Sequence, residues 1–284
     1  MDIYLVEAIV NGVLLGGVLA LLALGLNLIF GVIDVVWIAY ADIVMCGMYL
    51  VYWLYVGLGW PLPLACAAAI VGLAAFGMLV HLFIIEPILR SAPINQLLAT
   101  GGLLFFLQSF ATLLFGTDFR NIGVRLPVIE LGNIYISYAR LLAFAMALIG
   151  AVALYFFLKR TFIGTAIRAI AQDRDIIGLM GADQRRIYLI TSMIGGALAG
   201  LAACLLSLQY DVHPFIGNTF GPLIFMICVL GGLGDMIGGF IAAFVIAQII
   251  AIGGYYANTE LSYVLAFTFF IVLMFVRPRG IFAR

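Results

Sequence analysis

Apolar stretches long enough to cross a bilayer, separated by short polar turns, recur from one end of this sequence to the other. A helix needs about 20 apolar residues to span a hydrocarbon core. Candidate spans fall at roughly 8–33, 35–57, 62–85, 97–116, 138–158, 187–210 and 260–276, with a glycine-interrupted apolar segment at 220–252. Charged residues make up 9% of the 284 positions, against about 25% in a soluble domain. Polar groups cannot cover such a chain, so the lipid bilayer must solvate its outer face. The fold class this implies is an all-α polytopic membrane protein of about 8 transmembrane helices with glycine-broken segments, forming one transmembrane domain over 1–284. The 32 glycines suit close helix packing and interrupted helices.

Several function classes are excluded by what the sequence lacks. A net charge of zero gives no footprint for a nucleic-acid partner. Cys46, Cys66, Cys204 and Cys228 lie singly in apolar runs without metal-ligand spacing and read as small hydrophobic residues. His81 and His213 fall on opposite sides of the bilayer and have no evident nucleophile or further ligands beside them, so neither a catalytic group nor a metal centre is expected. The start, Met1-Asp2-Ile3-Tyr4, has no basic segment ahead of the apolar run, so the first span is expected to act as its own insertion signal. A phosphate-binding Gly-x-x-x-x-Gly-Lys-Ser/Thr loop needs its lysine. Lys159 is the single lysine and stands in Leu158-Lys159-Arg160, so any ATP must be bound by partner subunits.

Charge also sets orientation, because Lys and Arg stay cytoplasmic. The segment 159–186 is the one substantial water-compatible stretch. It carries Lys159, Arg160, Arg168, Arg174, Arg185 and Arg186, six of the thirteen basic residues. This loop, the short 86–96 turn with Arg90, and the tail with Arg277, Arg279 and Arg284 are expected inside; 117–137 and the N-terminus are expected outside. Parity then requires 220–252 to cross twice or re-enter. Its turning point is the run Gly231-Gly232-Leu233-Gly234-Asp235, with Asp235 placed to cap a helix starting near Met236.

A second glycine-interrupted segment occurs early, from Gly25 through Asn27 and Asp34 to Asp42. Paired breaks of this kind in two halves of a membrane chain point to an inverted internal repeat with a transport site between its halves. Ionisable or amide groups at membrane depth are costly and are functional candidates by default. Asn27, Asp42, Gln108, Gly232 and Gly234 are therefore the candidate pathway residues. Trp53, Tyr52, Tyr55 and Trp60 read as an interfacial aromatic belt at the outer end.

An ordered set of short matches gives the sequence a family likeness. They are Asn11-Gly12-Val13-Leu14-Leu15-Gly16, the run from Gly25 to Ile33 ending Phe30-Gly31-Val32-Ile33, and Met45-x-Gly47-x-Tyr49. Then follow Gly164-Thr165-Ala166-Ile167-Arg168-Ala169 with Gln172-Asp173, Gly181, the run Gly195 to Gly200, Leu230 to Gly234, and the tail from Arg277 to Phe282. Nearly end to end, the chain resembles the high-affinity branched-chain amino-acid permeases of bacterial ABC importers, the Liv-type integral subunits. One stretch departs: where that family has Asn-Phe-Ala-His-Gly, this chain has Trp37-Ile38-Ala39-Tyr40-Ala41, followed by Asp42.

The resemblance implies a permease subunit of an ATP-driven importer in the bacterial cytoplasmic membrane, with its N-terminus outside and C-terminus cytoplasmic. The solute it implies is a branched-chain amino acid or a related amino acid, amide or carboxylate. Implied partners are a sister permease subunit or a second copy of this chain, two cytoplasmic ATPase subunits and an extracytoplasmic solute-binding protein. Within the 159–186 loop, Gly164 to Gly181 resembles a coupling segment for the ATPase, with Arg168, Asp173, Arg174, Asp175 and Gly181 as candidate coupling residues. Thr161 is placed to cap its helix. The competing class is an ion-coupled secondary transporter with Asp34, Asp42 and Asp235 as proton carriers.

Overall fold

A computed structural model describes residues 3–124, 127–131, 134–172, 183–256, 258–277 and 280–281. Ten helices run in the order α1 Ile3–Ile33, α2 Tyr40–Tyr52, α3 Leu62–Val80, α4 Pro93–Phe115, α5 Tyr138–Arg160, α6 Phe162–Gln172, α7 Gln184–Ser207, α8 Gly217–Gly231, α9 Met236–Tyr256 and α10 Thr259–Val276. Helix α2 continues through a wider π-type turn at Trp53–Gly57, and α3 continues through another at His81–Ile85 to Ile88. Among the described residues, eight of these helical stretches are long and apolar enough to cross a membrane; α8 is the short apolar exception. Asp173, Arg174, Asp175 and Gly181 lie outside the described residues.

One correction to the sequence reading concerns the spans. The span expected at 35–57 starts late. Helix α1 stops at Ile33, Asp34 takes a left-handed backbone (φ 62°), and the chain is non-helical through 35–37 before α2 begins at Tyr40. Asp34 tolerates this region better than an apolar residue because short polar side chains can bond locally there. The segment at 220–252 turns at the expected glycine run and divides there into α8 and α9. Its turn is made by Gly232 (φ 101°) and Gly234 (φ 86°), conformations open to glycine and strained for other residues. Asp235 closes the turn as expected: its Oδ1 accepts from the backbone N–H of Ile237 and of Gly238, each at 3.0 Å. A second difference is a small antiparallel hairpin, β1 Val128–Leu131 with β2 Ile134–Ser137, set just before α5. Its β-branched and aromatic run favours extended pairing, which the helical reading of the apolar spans does not address.

Helix α1 is the most enclosed span and packs against α9, α5 and α7. A second tight pair is α3 with α7, and glycines set its spacing. A methyl group at Gly200 would lie 2.7 Å from Ile70 Cα, one at Gly77 would lie 2.6 Å from the Ser192 carbonyl oxygen, and one at Gly196 would strike the Leu73 carbonyl. Backbones this close gain dispersion contact along their whole length, the main attraction available between helices in lipid. Deeper toward one end of the same pair, the buried His81 ring bonds Ser192 Oγ through Nδ1 at 2.9 Å.

The ends of the bundle differ in charge. Gly31 touches Gly234, Ile281 N–H donates to the Leu230 carbonyl at 2.8 Å, and Arg185 pairs with Glu86 at 2.5 Å. One end therefore gathers Arg90, Lys159, Arg160, Arg168, Arg185, Arg186 and Arg277. The described basic residues toward the other end are Arg120 and Arg140. The Glu86–Arg185 pair joins the ends of α3 and α7 but stays open to water on the Arg185 side. Glu86→Gln is accordingly expected to cost under about 1 kcal/mol, read as a shift of no more than a few degrees in thermal unfolding.

Candidate functional site

Helix α8 holds 15 residues, about 22 Å at 1.5 Å per residue, too short for a bilayer core of about 30 Å. Its N-terminus meets that of α2. A methyl group at Gly217, the first residue of α8, would collide with the Asp42 carboxylate, which stands in the first turn of α2. Tyr40, at the start of α2, reaches α1 and α7 well inside the bundle: its hydroxyl fills the notch at Gly25 and donates to the Gly195 carbonyl at 3.2 Å. Both helices thus begin inside the bundle rather than at its ends, and run from there toward opposite ends.

At this junction Gln108 of α4 ties the two starts together. Its Nε2 donates to Asp42 Oδ1 at 2.9 Å and to Asn218 Oδ1 at 2.8 Å. Asp42 is 1% exposed, and two helix N-termini face its negative charge, each carrying partial positive charge. Helix α4 also braces the non-helical approach to α2: Thr100 Oγ1 lies 3.1 Å from the Val36 carbonyl and 3.0 Å from its own helix's Gln96 carbonyl. Beside the junction is a cavity of about 330 Å³ lined by Trp37, Tyr40, Asp42, Leu104, Asn218 and Phe225 among others. A second cavity of about 310 Å³ lies toward the basic end, with Asp34 and Gln96 in its wall; Val36 and Leu97 line both.

The candidate pathway residues thus fall into two groups. Asp42 and Gln108 come together at the junction. Asn27, Gly232 and Gly234 come together at the α8–α9 turn, where Asn27 Oδ1 accepts from Gly234 N–H and Nδ2 donates to the Asp235 carbonyl, both at 3.3 Å. Replacing Asn27 with Leu would leave two turn groups unpaired, at about 1–3 kcal/mol each. A destabilisation of that size is expected in detergent unfolding of Asn27→Leu. Trp37 belongs to the stretch that departs from the family pattern, whereas Asn218 is a site residue that sequence reasoning misses. A signal for Asn218 does exist: Gly217-Asn218-Thr219 is a polar opening on an apolar helix too short to span.

At the basic end, α6 is strongly two-faced. Gly164, Ile167 and Ile170 are buried, while Arg168 and Gln172 are exposed on one side, as their spacing predicts. Thr161 caps it, its Oγ1 accepting from Gly164 N–H at 2.9 Å. A methyl group at Gly164 would lie 2.5 Å from Leu158 Cα, so α6 is seated on the end of α5. Phe162 stands 86% exposed on this helix. The expected 159–186 loop is therefore narrower than its charges suggest: Lys159 and Arg160 belong to the last turn of α5, and Arg185 and Arg186 to the first turn of α7.

At the opposite end, two connecting segments join through backbone bonds between Arg120 and Val212, at 2.9 and 2.7 Å, and Asn121 Nδ2 donates to Asp211 at 2.6 Å. His213 packs on Phe119; burial pushes its imidazole below the usual range, against the opposing pull of Asp211. Trp53 and Trp60 are exposed at this end, in keeping with an aromatic belt.

Comparisons with known proteins agree with this architecture. The family described as branched-chain amino acid transport system / permease component matches residues 8–274. The high-affinity branched-chain amino acid transport system permease protein LivH of Escherichia coli K12 is 29% identical over 99% of this chain and 96% of its own length. BraD of Pseudomonas aeruginosa, described in the same words, is 29% identical over 98% and 95%. A probable branched-chain amino acid transport permease protein of Methanocaldococcus jannaschii is 26% identical over 81% and 76%. This chain belongs to the branched-chain amino acid transport system permease family.

Proposed function

We propose that this chain is the membrane-spanning permease subunit of an ATP-driven importer for branched-chain amino acids or closely related small solutes. The observation that carries this reading is the meeting of the starts of two opposed helices, α2 and the short α8, at a buried polar junction beside a solute-sized cavity. Discontinuous helices of this kind present N-termini and freed polar groups to a substrate midway through a membrane. The basic end is cytoplasmic by the distribution of Lys and Arg, which puts the N-terminus outside and the C-terminus inside. The cavity with Asp34 and Gln96 is then the inward continuation of the path, and Val36 and Leu97 form the constriction between the two chambers.

Asn218 is exposed on the flank of the bundle where Phe225 and Leu97 are also exposed. An amide at this depth is poorly suited to lipid. A sister permease or a second copy of this chain covers that face, so that the path runs along the joint. Helix α6 receives the ATPase, with Phe162 and Arg168 toward it and the undescribed Asp173, Arg174, Asp175 and Gly181 following. Closure of two ATPase subunits moves α6 as a rigid body and tilts α5 and α7. The loop pair held by Arg120 and Val212 offers an outer platform for a solute-binding protein.

A mild-detergent purification of the tagged chain from its native membrane tests this. Stoichiometric ATPase subunits and solute-stimulated ATP turnover are expected. Arg168→Glu is expected to leave the chain inserted while cutting that turnover severely. A chain that purifies alone and moves solute on a proton gradient would instead be a secondary transporter.

A further inference from the structure

Two residues lining the cavity at the junction of α2 and α8 each carry a buried polar atom without a hydrogen-bond partner among the described residues: Asp42, at Oδ2, and Trp37, at Nε1. Their side chains are 1% and 2% exposed, and both line the cavity. One is an acceptor only and the other a donor only. A buried group left in this way is costly, so the site gains most from a molecule that completes both. No described Lys or Arg lines the cavity, so a carboxylate entering it would meet Asp42 without a compensating cation among the described residues. Apart from Tyr40 and Asn218, the remaining walls, Leu104 and Phe225 with them, are apolar. The volume of about 330 Å³ equals roughly eleven waters at about 30 Å³ each, enough for a solute of amino-acid size.

We propose that this cavity recognises the nitrogen end of the transported solute: Asp42 Oδ2 accepts from an ammonium or amide N–H, and Trp37 Nε1 donates to an oxygen on the same solute, while the solute's own carboxylate is dispensable here. This deepens the transport reading and rests on it. Trp37 and Tyr40 stand where the resembled family has Asn and His, so the stretch that departs from the family pattern builds this wall. Tyr40 is committed to Gly195, which leaves Trp37 as the donor toward the solute.

Trp53 and Trp60 are the two other tryptophans, and both sit at the outer end. With Trp53→Phe and Trp60→Phe in the full chain in nanodiscs, Trp37 becomes the single fluorescent reporter. Its emission is titrated with L-leucine, L-leucinamide, 3-methylbutylamine and 4-methyl-2-oxopentanoate. Leucine and leucinamide are expected to shift it saturably, the amine more weakly for want of an oxygen, and the oxo acid not at all. Asp42→Asn is expected to weaken leucinamide binding about tenfold or more, the loss for a hydrogen bond to a charged group, and Asp42→Glu to retain it. Binding of the oxo acid as tight as that of leucinamide overturns the proposal, as does an unchanged Asp42→Asn chain or the absence of any saturable response. If Asp42→Asn fails to fold, the wild-type comparison of amide with oxo acid decides alone. Failure of the importer reading shows elsewhere, in a purification without ATPase subunits, and is separable from a negative titration.

Discussion

Gly196→Val and Gly200→Val are expected to abolish the folded state. Valine at either position drives its branches into the backbone of α3, at the Leu73 carbonyl or at Ile70 Cα, where no rotamer change gives relief. Overpacking against side chains costs about 1–3 kcal/mol. Against backbone, two packed helices must separate, and the loss spreads along the whole interface toward the 5–15 kcal/mol that holds a typical domain together. Size-exclusion profiles in mild detergent should show aggregate in place of a single peak. Gly101→Val is the control, because nothing lies within 4 Å of a side chain there, and it should elute like the parent. A Gly196→Val chain that elutes and melts like the parent would mean that α3 and α7 are not held at this distance.

Phe162→Asp is expected to have the second largest effect, on assembly rather than folding. The side chain is 86% exposed on α6, and α6 is fixed to α5 by the Thr161 cap and the Gly164 contact. A large aromatic residue held exposed on a fixed helix has the makings of an interface anchor, and truncation of such anchors costs about 2 kcal/mol or more. Association with ATPase subunits should weaken by roughly thirtyfold or more, measured by co-purification, with the melting temperature of the isolated chain unchanged. Undiminished co-purification would place the ATPase contact elsewhere.

Much of this architecture is legible in the sequence because lipid imposes a simple rule: apolar length reports span length. The ends of α3, α5, α7 and α10 follow from it within a few residues. Depth is not legible in the same way. Nothing in the composition of 35–57 shows that its helix starts only at Tyr40, because a non-helical segment wrapped in protein is as apolar as a helix. That start is set by the left-handed turn at Asp34 and by the reach of Tyr40 to Gly195, a contact 155 positions away. Asp42 and Gln108 are visible singly as polar residues in apolar runs. Their union with Asn218 spans 110 positions from Gln108 and belongs to the tertiary structure. Asn27 illustrates the opposite case, a conspicuous intramembrane amide whose hydrogen bonds in this structure go to the α8–α9 turn.

The two tight helix pairs and the lightly anchored α4 also bear on how fast such a protein can switch. Helix α4 buries only Thr100, Leu103, Leu107, Gln108 and Ala111, and its hydrogen bonds to the starts of α2 and α8 are those of Thr100 and Gln108. A movement that exchanges those bonds need not expose the interlocked faces of α1 with α9 or α3 with α7. Apolar exposure is what gives a conformational step a large heat capacity. Turnover limited by α4 should therefore give a nearly straight Eyring plot across the working temperature range, whereas switching by prying α3 from α7 would bend it.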